Sequence, residues 1–184
     1  MTWVDAIPVV LVLGYGIGGY FAGVIRRLIG LVALYAAFVA ATNMGLQAGS
    51  IMQQSSAVAT PDSRIYGFFG IAFGILIVVE GAAQLVHNQI QIEAIVFNHV
   101  SGVVVGVLTA IVLSVLVTYE LQAAGNPFGG TQLDSLQLNI RDAVNNSHLA
   151  VPLTSALKRP IIAIFDPVLP TDPQIYFGPG PVNA

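Results

Sequence analysis

The stretch GYGIGGYFAGVIRRLIGLV, from Gly14 to Val32, constrains this chain more than any other. An apolar segment ends there in Arg26 and Arg27, and a second begins at Leu28, leaving no room for a globular loop. Two apolar segments joined by adjacent arginines predict a helical hairpin with lipid as its solvent. Composition supports that environment. Hydrophobic residues make up 55% and charged residues 8% of the 184, and mean hydropathy is +0.81. A soluble domain carries about 25% charged residues to cover its surface.

The same numbers exclude several functions. A formal charge of −3, thinly scattered, does not suit nucleic acid. The absence of cysteine removes disulfides, thiolate metal sites and thiol chemistry. The amino terminus, MTWVDAIPVV, has no positive residue ahead of its apolar run, and its first charge is Asp5. A cleavable signal has the reverse order, so an uncleaved first helix with its amino terminus outside is expected.

The predicted fold class is all-α: a polytopic membrane protein with four transmembrane helices and short C-terminal amphipathic helices. The first span runs from about Ile7 to Ile25, with Asp5 as its N-cap and Pro8 in its first turn, where a missing N–H costs nothing. The second covers about Leu28 to Met44, and residues 45 to 64 read as a polar loop turning at Pro61-Asp62. A third span from Ile65 to Val86 and a fourth from Val96 to Leu121 complete a domain over residues 1–121. Residues 122–170 are expected to form a linker and membrane-surface helices. One is amphipathic through Leu133, Leu136, Ile140 and Val144, and the next is broken into pieces by Pro152, Pro160, Pro167 and Pro170. Residues 171–184, rich in Pro and Gly, are expected to be disordered. Arg26 and Arg27 are read as topogenic, holding their loop in the cytoplasm against Arg64 on the opposite face. Both termini then lie outside.

Helices in lipid associate by close backbone approach at small residues rather than by hydrophobic attraction. Gly102, Gly106, Ala110, Ser114 and Thr118 recur every four residues in the fourth span. The first span has Gly14 with Gly18 and Gly19 with Gly23, and the third has Gly67, Gly70 and Gly74. Such stripes serve an intramolecular bundle or a homo-oligomer interface, and the intramolecular use is preferred.

Glu80 is the sharpest chemical candidate, because an acid within a span is costly and points to a proton or ion path. Its position near a helix end offers a plainer explanation, contact with interfacial water. His87, Glu93 and His99 are spaced six and six, whereas ligands on one helix face need i and i+3 or i+4. No metal, cofactor or catalytic residue is assigned, and no enzyme activity is expected. The glycine cluster of the first span follows no strand, so it is not a dinucleotide loop.

Several of these segments also carry a family resemblance. WVDAIPVVLVL followed by GGYFAGVIRRLIGLV resembles the start of the colicin V production protein family. FNHVSGVVVGVLTAIVLSVLV, with Gly102 and Gly106, resembles its last membrane helix. NSHLAVPLTSALKRPIIAIFDPVLP, with Ser147, Leu149, Pro152 and Pro160, resembles its post-membrane segment. The connector before the fourth span departs from the family in lacking basic residues. The resemblance implies a four-helix inner-membrane protein linked to colicin V production or export and to envelope homeostasis. Similar membrane domains precede trypsin-like proteases, but up to Ala184 there is no GDSGG-like motif, so that activity is not expected here. Two functions compete. One is a non-enzymatic accessory or scaffold protein whose partners are the bilayer and other membrane proteins. The alternative is a small transporter or channel with Glu80 lining the path.

Overall fold

The computed structural model describes residues 1–56, 60–87, 95–129 and 133–178. Among the described residues six helices follow in order: α1 Trp3–Ser56, α2 Thr60–His87, α3 Ile95–Gly125, α4 Ser135–Asn145, α5 Ala150–Phe165 and α6 Pro173–Tyr176. The first three are long and apolar enough to cross a membrane, and the protein is an all-α membrane protein.

The 54 residues of α1 would make a straight rod of about 81 Å, far longer than the ~30 Å hydrocarbon core. The rod is broken at Gly23, whose φ of 72° and ψ of 175° are not helical. That region of backbone space is essentially reserved for glycine. The chain reverses there, three residues before the arginine pair that the sequence pattern put at the turn. Two sets of neighbours show the reversal. Tyr15 and Gly30, one from each leg of α1, both approach Glu80. At the other end, Trp3 lies beside Phe69 and Gly45 beside Phe68. Val24, the first residue beyond the break, donates its N–H to Asn98 Oδ1 at 2.9 Å, which satisfies a backbone donor freed by the turn.

Other boundaries shift from the sequence reading for identifiable reasons. The stretch expected to be a polar loop from residue 45 stays helical to Ser56, and α2 already begins at Thr60. The polar Gln, Ser and Thr of that stretch sit on a helix whose glycines are packing residues: Gly67 of α2 lies against the backbone of Gly45 and Gly49. Helix α5 is one continuous helix rather than fragments. Pro152 falls in its first turn, and the Ala156 carbonyl that Pro160 leaves without a helical donor belongs to an exposed residue. Residues 171–178, expected to be disordered, are ordered. Asp172 caps α6 by accepting from the N–H groups of Gln174 and Ile175, and Tyr176 and Phe177 are buried against the Phe68 ring. The aromatic pair offsets the entropy of fixing a Pro/Gly-rich segment.

The core runs the length of the bundle from Leu34 and Phe38 through Phe68 to Leu113 and Leu116. Amphipathic α4 buries Gln137, Ile140, Ala143 and Val144, with Leu136 packed alongside. Gln137 Oε1 accepts the Asp134 N–H at its helix start, and its Nε2 donates to the Phe177 carbonyl.

The small-residue stripes divide sharply. A Cβ at Gly19 or at Gly102 would collide with the other's carbonyl oxygen, and one at Gly106 with that of Tyr15. Ala110 and Ser114 on the same helix are buried, and Ser114 Oγ donates to the Ala110 carbonyl at 2.7 Å. By contrast Gly14, Gly70 and Gly74 have open space where a Cβ would go, so they take no part in close packing within the chain. Gly106→Leu must therefore push apart backbone rather than side chains. It should cost more than the about 1–3 kcal/mol of an ordinary overpacked core. Gly74→Leu should stay within about 0.5 kcal/mol of wild type. Thermal scans in detergent, read beside size-exclusion profiles, distinguish the two. Equal effects would mean that the α1–α3 contact is not what holds the bundle.

Candidate functional site

The reversal at Gly23 delivers Arg26 and Arg27 to the start of the second leg of α1, opposite Glu80 of α2. Arg27 Nη1 lies 3.5 Å from Glu80 Oε1. Arg26 Nη2 donates to the Glu80 carbonyl at 3.4 Å. The Arg27 guanidinium carbon sits 4.9 Å from the centre of the Tyr15 ring, within cation–π range. A Cβ at Gly18 would strike the same guanidinium, so this glycine makes room for a side chain rather than for a helix. Arg27 is 6% exposed, and its Nε–H has no acceptor among the described residues. The arrangement neutralises an acid inside a span by an internal cation, as an uncompensated charge in hydrocarbon would cost several kcal/mol.

Glu80 and Tyr15 also line a cavity of about 250 Å³ with Leu11, Phe73, Leu76 and Leu113. Among its lining residues, Glu80 and Tyr15 alone carry side-chain polar atoms. His99 stands apart from this cluster, its ring 4.8 Å from that of Tyr20. Glu93 lies outside the described residues. Among those described, no group of three His, Cys, Asp or Glu residues could hold a metal ion.

A second polar centre ties the C-terminal helices to the first leg. Asp5 is 0% exposed and sits inside the first turn of α1, so it does not serve as the N-cap of that helix. Its carboxylate instead accepts from the Ser147 hydroxyl and from the N–H groups of Leu149 and Ala150, at 2.9 and 3.2 Å. Those are the donors left open at the start of α5, and an acid there also suits the helix dipole. Ser147 Oγ in turn accepts from Val151 N–H. Trp3 Nε1 donates to Asn139 Oδ1 of α4 at 3.0 Å, a second clasp at the same end.

Asp5, the Gly19–Gly102 contact, the arginine pair and the Ser147 cap all fall within the stretch matched by one family model. The family model for the colicin V production protein matches residues 4–158. The chain belongs to that family. No curated protein and no solved structure matches it. The colicin V production frame thus takes in α1 to α4 and the first half of α5, whereas α6 and its buried aromatic pair lie beyond the matched residues.

Two features of this family member escaped the sequence reading. Asp5 was visible as an acid, and Asn-Ser-His before an apolar run is a helix-start signal, yet 142 residues separate Asp5 from Ser147 and no local pattern joins them. Glu120 is a second acid within a long apolar helix. It is 0% exposed, and both of its carboxyl oxygens lack a hydrogen-bond partner among the described residues. The rule that singled out Glu80 applies to it equally; its place near the end of α3 hid it. Burial, with the Glu120 carboxylate nearby, raises the Tyr176 phenol above its ordinary value.

A double-mutant cycle tests the Arg27–Glu80 pair. Breaking a buried pair costs about 3–5 kcal/mol. Because the Glu80 side chain is 27% exposed, Glu80→Gln alone should cost less, about 2 kcal/mol. In the cycle itself, Arg27→Met combined with Glu80→Leu should cost less than Arg27→Met alone or Glu80→Leu alone. Additive losses would mean that the two groups do not act together.

Proposed function

We propose that this member of the colicin V production family is a non-enzymatic accessory or scaffold protein of the bacterial inner membrane. It serves toxin production or secretion and envelope homeostasis by binding other membrane proteins. One observation carries the reading: the intramembrane acid Glu80 is engaged by Arg27 and sits beside Tyr15, so its charge is spent within the bundle. An acid in that state braces helices, whereas a transport path needs one free to exchange its proton or ion. The lipid-facing sides of the bundle, with Ile17, Phe21, Val32 and Ile77 exposed, are available to partner helices or to a second copy of the chain.

In this proposal both termini face outside. Arg26 and Arg27 follow a short reversal and stay cytoplasmic, and the Asp5 clasp keeps α4 and α5 at the opposite end, with the amino terminus. Arg64 also stands at that end, donating to the Tyr176 and Gly178 carbonyls.

The transporter reading keeps one observation in its favour, the cavity beside Glu80. Purified protein in liposomes separates the two. The scaffold reading expects no proton or small-solute flux above empty vesicles, together with a stable membrane-protein partner captured by crosslinking from α3. Flux abolished by Glu80→Gln would overturn it.

A further inference from the structure

Helix α5 presents three different faces. Ala150, Thr154, Ile161 and Phe165 form the one buried in the bundle. Leu153, Leu157, Pro160 and Ile164, spaced at helical intervals, form a second stripe along its length that is apolar throughout. The bundle covers this stripe incompletely: Leu153 and Leu157 are half-buried, and Pro160 and Ile164 are exposed. Ser155, Arg159 and Asp166 form a third face, polar and exposed. On the exposed side the Ala156 carbonyl, left without a helical donor by Pro160, also needs water or a headgroup. A helix with both an apolar and a polar outer face suits neither bulk water nor the middle of a bilayer.

The two legs of α1 gauge its depth. Measured along them from the reversal at Gly23, Asp5 stands at about 27 Å, and Tyr35 and Phe38 at about 18 and 23 Å. Helix α5 touches both legs at those levels. Ala150 donates its N–H to Asp5 at 3.2 Å, and the Phe165 ring packs 5.4 Å from that of Tyr35 and 6.2 Å from that of Phe38. Over its own length of about 24 Å the helix therefore changes depth by less than about 10 Å, and it lies closer to flat than to upright. All of those levels fall within the ~30 Å of hydrocarbon that starts near the arginine pair, toward its far edge. Tyr35 is itself exposed on a helix long and apolar enough to cross a membrane, so the end of α5 carrying Ile164 borders the lipid-facing surface of α1.

We propose that α5 is embedded in the leaflet opposite the arginine pair, with lipid as the partner of its second face. Leu153, Leu157, Pro160 and Ile164 rest on acyl chains, while Ser155, Arg159 and the Ala156 carbonyl stay among headgroups and water. Lys158 and Arg159, both exposed, reach the phosphates on their apolar stems. Asp5 at one end and the Phe165 ring at the other hold the helix at that depth, so it displaces lipid beside the bundle.

The test uses the full chain, which has no cysteine of its own, in vesicles of phosphatidylethanolamine and phosphatidylglycerol. Spin labels are attached singly after Ser155→Cys, Arg159→Cys, Pro160→Cys or Ile164→Cys, all at exposed positions, so no packed side chain is lost. Collision rates with oxygen, which concentrates in lipid, and with a water-soluble nickel chelate give the depth of each label. Labels at Pro160 and Ile164 should lie about 5–10 Å below the phosphates, and those at Ser155 and Arg159 at or above them. Each face is read at two positions, so a variant that misfolds leaves the comparison intact. Equal depth for the two pairs, or nickel contact at Ile164 matching that at Arg159, would overturn the proposal. Labels at Pro160 and Ile164 shielded from both reagents would also overturn it, by putting protein rather than lipid on that face.

Discussion

Every backbone donor and every charge in this protein must find its partner within the protein, because the surrounding hydrocarbon supplies none. The reversal at Gly23 is where that demand is most severe. A turn inside a run of apolar residues frees helix-end N–H groups, and here Asn98 of α3 takes the first of them. The same turn folds Arg27 back toward Tyr15 and sets both arginines against Glu80. It also aligns Gly19 with Gly102. One glycine conformation therefore fixes the path of α1, the seat of the intramembrane ion pair and one of the tight backbone contacts between helices.

The far end of the bundle obeys the same rule by different means. Asp5 and the opening turn of α5 are two incomplete elements, an acid without solvent and a set of N–H groups without acceptors. Each completes the other. Together with the Trp3–Asn139 bond, this fastens the C-terminal helices onto the membrane helices. Glu120 departs from the rule most fully, an acid buried in α3 with neither oxygen partnered among the described residues.

Much of this architecture was legible in the sequence. Apolar runs of spanning length, the hairpin near Arg26 and the small-residue stripe of α3 follow from composition and period alone. The break fell at Gly23 instead of the arginines because charge marks where a chain meets the interface, while backbone freedom decides where it bends. Residues 45–64 read as a loop from their Gln, Ser and Thr content and Pro61-Asp62, whereas Gly45 and Gly49 bring the backbone of α1 against Gly67 of α2. Gly14, Gly70 and Gly74 look no different in sequence from Gly19 and Gly102, and only the facing backbone tells them apart. The order of residues 171–178 depends on burying Tyr176 and Phe177 against Phe68, more than 100 residues away, a pairing that no local pattern encodes.

The reversal of α1 can be measured directly. The chain has no cysteine, so single cysteines introduced at Thr2, Arg26 and Ser55 report without background to a membrane-impermeant thiol reagent. The structure predicts that Thr2 and Ser55 are labelled from one side of the membrane and Arg26 from the other. Labelling of Thr2 and Ser55 from opposite sides would mean that α1 crosses once as a single rod, and would contradict the account.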